Sequence, residues 1–213
     1  MGKIFNPESP LMKFLENAAD LILLNVLWLV CCIPVFTIGP STTAMCCVTR
    51  GMAKGDWPPV IKTFFREFRN NFKQGVAVFL ALAIPVGLVC FYLLIAASGG
   101  LDETPLLKYL SYVAIAFIGF VCSYVYPLLA TFDNTVGHTL KNAVILPLAN
   151  PILAVIVTGL NLLPLILYLV NELLLFRWGL FWLLIGGALT SYINMRLLGK
   201  FFQRLLPVGD SDE

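Results

Sequence analysis

Four cations, Lys62, Arg66, Arg69 and Lys73, follow one another at intervals of four, three and four residues, and Ile61, Phe65, Phe68 and Phe72 keep the same rhythm one position ahead. Helical periodicity gathers each set into a stripe, one basic and one aromatic, on neighbouring faces of a single helix. Such a helix does binding chemistry. Its ammonium and guanidinium groups grip lipid phosphates or a partner's carboxylates, while its rings enter an apolar boundary. Lys141 sits in a second segment of similar pattern that has lost most of the positive charge. Two amides, Asn25 and Asn161, lie inside otherwise apolar runs, where a carboxamide needs either a partner across a helix interface or a polar solute.

Covalent and metal chemistry find no set of residues. His138 is the single histidine, and it has no neighbouring His, Cys pair or carboxylate cluster to share a metal or haem. Cys31, Cys32, Cys46, Cys47, Cys90 and Cys122 show no CxxC spacing, and they read as small apolar filler, with acylation of Cys46 or Cys47 as the lesser alternative. No GxxxxGK[ST] loop, GxSxG elbow or HExxH pair occurs. The expectation is a protein that is not an enzyme and that holds no cofactor and no metal. The basic stripe is confined to one helix and belongs to no nucleic-acid module, so nucleic acid is not expected as a partner.

The elements that carry these residues are set by the bilayer. With 59% hydrophobic and 12% charged residues, against about 25% charged in soluble domains, the chain falls outside the soluble class. Five stretches, 21–38, 75–97, 109–130, 151–170 and 178–193, hold no Asp, Glu, Lys, Arg or His. At ~1.5 Å per residue they are roughly 24 to 35 Å long, the scale of a hydrocarbon core of ~30 Å. Lipid offers the backbone no hydrogen-bond partners, so these spans are helices. The fold class is therefore all-α: one polytopic membrane bundle with about five transmembrane helices and short interfacial helices. Residues 1–20 form an N-terminal surface segment, 60–73 and 131–143 two cytoplasmic elbow helices, and 199–213 a cytoplasmic tail. Gly39-Pro40 closes the first span, Ser41 and Thr42 cap a short helix over 43–52, and Lys54-Gly55-Asp56 turns it back.

Ten of the fourteen Lys and Arg residues fall after spans one, three and five, namely Arg50, Lys54, Lys62, Arg66, Arg69, Lys73, Lys141, Arg196, Lys200 and Arg204. The positive-inside rule puts those segments in the cytoplasm, the N-terminus outside and the C-terminus inside. Setting residue 59 against residue 127 without gaps pairs Pro59/Pro127, Thr63/Thr131, Phe64/Phe132, Lys73/Lys141 and Val76/Val144. This suggests a parallel internal repeat of span, elbow helix and span. Gly187 and Ser191, beside Gly186 and Ala188, make a small-residue face on the fifth span for close helix approach. No ionisable group reaches the middle of any span, so ion-coupled transport lacks its usual carboxylate.

Several of these segments also carry a family likeness. Gly39-Pro40-Ser41-Thr42-Thr43-Ala44-Met45, Phe64-Phe65, Asn71-Phe72-Lys73-Gln74, Tyr126-Pro127, Phe132-Asp133-Asn134-Thr135 and Leu140-Lys141-Asn142-Ala143 resemble the YesL-like family of bacterial membrane proteins. The likeness covers nearly the whole chain and brings no catalytic residues. It implies a multi-pass protein of the bacterial inner membrane, often encoded beside carbohydrate ABC transporters and polysaccharide-degrading enzymes. On that basis the expected function is a non-catalytic accessory subunit of an oligosaccharide ABC importer, touching its permease subunits and membrane lipids. The contact residues would be Lys62, Phe65, Arg66, Phe68, Arg69, Phe72, Lys73 and Lys141. Two alternatives stand beside it: a small solute facilitator with a polar pathway near Asn25 and Asn161, and a lipid-interacting scaffold.

Overall fold

The computed structural model describes residues 10–98, 105–170 and 172–205. Segments 1–9 and 206–213 of the expected N-terminal segment and tail lie outside the described residues. The described elements are helical in order: α1 (Pro10–Cys31), α2 (Ile38–Lys54), α3 (Val60–Asn70), α4 (Phe72–Ala97), α5 (Pro105–Leu129), α6 (Val136–Ala149), α7 (Pro151–Val170), α8 (Glu172–Phe181) and α9 (Gly187–Leu205). A 3-10 turn, Val35–Thr37, precedes α2, and a π-helical segment, Trp182–Gly186, joins α8 to α9. Four helical stretches are long and apolar enough to span a bilayer: Leu11–Cys31, Phe72–Ala97, Leu106–Leu129 and Arg177–Phe202. A fifth span is available in the pair Val136–Ala149 and Pro151–Leu167, which bends by 117°. The fold is a polytopic all-α bundle, as its hydropathy requires.

Lipid-facing surface is plain on α4, where Leu80, Ile84, Leu88, Phe91 and Leu94 recur every three or four residues and are all exposed. An apolar stripe turned outward is stable only where the solvent is hydrocarbon. On α7, Ile152, Val155 and Ile156 are likewise turned outward.

Several expected boundaries move. The first span was expected over 21–38, but α1 runs unbroken from Pro10 and stops at Cys31. Pro34 is the reason: it has no amide hydrogen for a helical bond and disfavours helical backbone at Ile33. The chain turns there, with the Cys32 amide donating to the Trp28 carbonyl and the Ile33 amide to Val30. The helix expected over 43–52 begins at Ile38 instead, because Pro40 lies in its first turn, where a missing amide hydrogen costs nothing. Ser41 and Thr42 are thus inside the helix and cap nothing. Gly55, at φ +97, closes α2 in the left-handed conformation that glycine supplies cheaply.

The first elbow is broken at Asn71, whose side chain donates to the Glu67 carbonyl at 3.0 Å. Phe72 and Lys73 consequently open α4 and do not share a helix with Lys62. The second elbow, expected over 131–143, forms over Val136–Ala149 after an extended Thr135 (ψ 153). Pro59 stands just ahead of α3, whereas Pro127 lies within α5. The ungapped pairing therefore sets helix against non-helical chain at Phe132–Thr135, and the two segments are helical together again from Phe68/Val136 onward, apart from the break at Asn71. The span 151–170 coincides with α7. The last span, expected over 178–193, continues without interruption to Leu205, because Arg196 and Lys200 are exposed on the helix and do not end it.

At the centre stands α2, which packs against α1, α3, α4, α5 and α9. Its buried face is made of small or weakly polar residues, among them Gly39, Ser41, Thr43, Ala44, Cys46 and Thr49. Thr43 returns its hydroxyl to the Gly39 carbonyl and Thr49 to Met45, so these two hydroxyls are satisfied within the helix. Small side chains let neighbours approach closely. At Gly39 and Gly75 backbone meets backbone: a Cβ on Gly75 would lie 2.6 Å from the Pro40 nitrogen, and one on Gly39 would strike the Gly75 carbonyl.

Candidate functional site

The structure separates the sequence-derived site residues into three places. On α3, Val60, Thr63 and Phe64 are buried. Phe64 is fully enclosed in a cluster with Leu21 and Leu24 of α1, Met45 and Val48 of α2, and Ala188 of α9. Lys62, Arg66, Arg69 and Lys73 are all exposed, and Arg66 pairs with its neighbour Glu67 at 2.8 Å. The aromatic stripe divides. Phe65 and Phe72 are exposed along with Ile61, while Phe68 is half-buried between Phe64 and Phe72, at ring-centroid distances of 6.3 and 5.6 Å. Phe68, Arg69, Asn70, Phe72 and Lys73 line a surface hollow at the α3–α4 junction. Lys141 is exposed on α6, and His138 is exposed in the first turn of that helix.

Asn25 is completely buried on α1. Its amide nitrogen donates to the Leu183 carbonyl at 2.7 Å and to Trp182 at 3.3 Å, and its oxygen accepts from the Ala188 amide at 2.9 Å. These are the backbone groups that a π segment leaves poorly paired. The side chain thus ties α1 to the irregular part of the last span, and its hydrogen bonds are those of interhelical glue. A Cβ on Gly187 would lie 2.8 Å from the Asn25 oxygen, so the small-residue face foreseen on this span serves packing inside the bundle. Ser191 on the same face shares a 2.9 Å hydrogen bond with Thr49 of α2.

Asn161 lies elsewhere, against an open-sided cavity of about 530 Å³ lined by α1, α2, α5, α7 and the π segment with α9. Its oxygen accepts from the amide of Asn194 at 2.9 Å. Asn194 is 3% exposed, and its own oxygen has no partner among the described residues. Asn194 escaped the sequence reading because the fifth span was ended at Ile193. The signal was present all the same: Gly187, Ser191 and Asn194 are spaced by four and three, on one helical face.

The thiols of α2 are held as neutral groups. Burial pushes Cys46 up to about 12, opposed by a hydrogen bond from Ser191. Cys47 is likewise raised to about 12, mainly by burial and then by Cys46 and Glu67. A buried, protonated thiol is a poor nucleophile and a poor acylation site, so the filler reading is the better description of Cys46.

The spans and the lipid-facing stripes define a multi-pass helical membrane protein. A family model described as "Protein of unknown function, DUF624" matches residues 21–93, from the middle of α1 through most of α4. The chain is also similar to the uncharacterized protein YesL of Bacillus subtilis (strain 168), at 27% identity over 211 residues, covering 96% of this chain and 95% of the relative. The chain is thus similar to a YesL protein over nearly its whole length and to the DUF624 model within its first half. No solved structure matches it.

Proposed function

We propose that this protein is a non-catalytic accessory subunit of the bacterial inner membrane, docking through α3 and the first turn of α4 onto the permease of a carbohydrate ABC importer. The observation that carries this reading is the way α3 is fixed. Phe64 locks the helix to the bundle while Ile61, Phe65 and four cations remain outside. A cationic, aromatic-rimmed surface held by a rigid anchor suits an acidic protein face, since the entropy of ordering the helix is already met before binding. Its positive charge favours the cytoplasmic side. The class of partner is the one the family resemblance implies and is itself part of the proposal. The chemistry proposed for this surface is binding alone.

The test is co-purification with the permease from native membranes. Reversal of charge in Arg66→Glu with Arg69→Glu is expected to lower recovery of the permease at least tenfold while leaving the accessory protein folded. Undiminished recovery overturns docking through α3.

A further inference from the structure

We propose that the cavity beneath α2 is a binding site for a neutral lipid that carries a free hydroxyl, such as a long-chain or isoprenoid alcohol or a diacylglycerol. The site shares no residue with the exposed face of α3, and the proposal stands independently of docking there.

Three observations fix the class of ligand. Among the described residues no Asp, Glu, Lys, Arg or His lines the cavity, and a charged ligand would leave its charge unpaired in a medium that penalises this heavily. The ligand is therefore neutral.

Much of the wall is apolar, from Trp28, Met45, Leu162 and Trp182 among others. Three of the five hydroxyls on its lining are engaged elsewhere: Thr42 donates to the Ile38 carbonyl, Ser123 to Gly119, and Ser191 bonds Thr49, while those of Tyr126 and Thr190 add to the polar groups at hand. A molecule that is mostly hydrocarbon matches such a surface. Leu183 lines the cavity and is 56% exposed, so the cavity reaches the outer apolar surface of the spans, from which a lipid enters.

The third observation is the amide pair. Asn161 and Asn194 spend one donor and one acceptor on each other and leave an amide nitrogen on one and an oxygen on the other. Exchanging the oxygen and nitrogen of both side chains leaves the same balance. In the orientation found, the spare acceptor is the buried oxygen of Asn194. A hydroxyl is the smallest neutral group that donates to one amide and accepts from the other at once. An ether or ester oxygen, which only accepts, leaves that Asn194 oxygen unsatisfied.

The experiment uses the purified full chain in lipid nanodiscs, with a dibrominated oleyl alcohol as a contact quencher of tryptophan fluorescence; Trp28 and Trp182 line the cavity. Saturable quenching is expected, with apparent affinity falling about tenfold for the corresponding methyl ether and by a similar factor for the alcohol in Asn194→Leu. The ether comparison uses the wild-type protein, so it decides the matter even if Asn194→Leu fails to fold. Equal quenching by alcohol and ether, or quenching that rises linearly without saturation, overturns the proposal. Displacement of the alcohol by a water-soluble sugar also overturns it and makes the cavity a polar-solute site.

Discussion

The side-chain nitrogen of Asn25 donates to the carbonyl of Leu183 at 2.7 Å, across 158 positions of sequence. The same side chain receives the Ala188 amide, so one residue of α1 closes both ends of an irregular turn in the last span. Leucine at this site has similar volume but neither hydrogen bond. Asn25→Leu is expected to destabilise the protein by about 2–3 kcal/mol, the scale of buried backbone groups left unpaired. Hydrogen exchange at Ala188 should accelerate with it. Thermal unfolding in detergent together with amide exchange checks both; an unchanged midpoint removes Asn25 as the clamp.

Gly39 and Gly75 make a second long-range constraint. Here the neighbour that a new methyl group meets is backbone, which cannot swing aside as a side chain can. Gly75→Ala should force the start of α2 away from α4, at a cost of roughly 1–3 kcal/mol from overpacking. Gly137→Ala serves as the control, since nothing lies within 4 Å of a Cβ there. Equal stability of the two variants by chemical unfolding refutes the close approach.

The helical class follows from hydropathy alone, because a bilayer admits so few solutions, and of the about five expected spans four are single long helices while the other is a bent pair. The role of α2 does not. Its Ser, Thr, Cys and Gly residues read only as a short helix over 43–52, with nothing in the pattern to mark it as central, yet many of them are buried, because small weakly polar side chains pack where large apolar ones would not fit. Chain breaks were misplaced for a related reason. Pro34 ends α1 as proline should, but Pro40, Pro85, Pro127, Pro147 and Pro164 all lie inside helices, tolerated in a first turn or where neighbouring helices meet the freed carbonyls. In the cavity, Asn161 was visible as an amide in an apolar run, whereas Asn194 was hidden by the nearby Arg196, which suggested that the span had already ended. On α3 the pattern gave the exposed stripe and missed the anchor, since Phe64 lies next to Phe65 and only the surrounding helices decide which ring is enclosed.

That last pair of residues separates stability from recognition. Phe64→Ala removes a ring that is wholly buried among three other helices and is expected to cost about 3–5 kcal/mol. Phe65 is 49% exposed, and Phe65→Ala should leave the unfolding midpoint within about 0.5 kcal/mol of wild type. Permease recovery, if α3 is the docking surface, should fall in Phe65→Ala at unchanged stability. A large stability loss in Phe65→Ala, or none in Phe64→Ala, contradicts the assignment of faces.

Cys46 gives the fold a dependence on alkaline pH. Its thiol is raised from an ordinary value of 9.0 to about 12 by burial, so releasing its proton is harder in the folded protein than in the unfolded chain. Below pH 9 both states keep the proton and the full stability is present. Between pH 9 and about 12 the unfolded chain gives up its proton while the folded one retains it, and stability declines. Cys47 acts in the same direction. Unfolding midpoints measured from pH 7 to 11 should therefore fall above pH 9, and the fall should be shallower in Cys46→Ala. Iodoacetamide at pH 8 should leave Cys46 unmodified until the protein is denatured, because the thiolate is the reactive form. Rapid modification of native Cys46 would show that α2 is open to solvent and does not lie at the centre of the bundle.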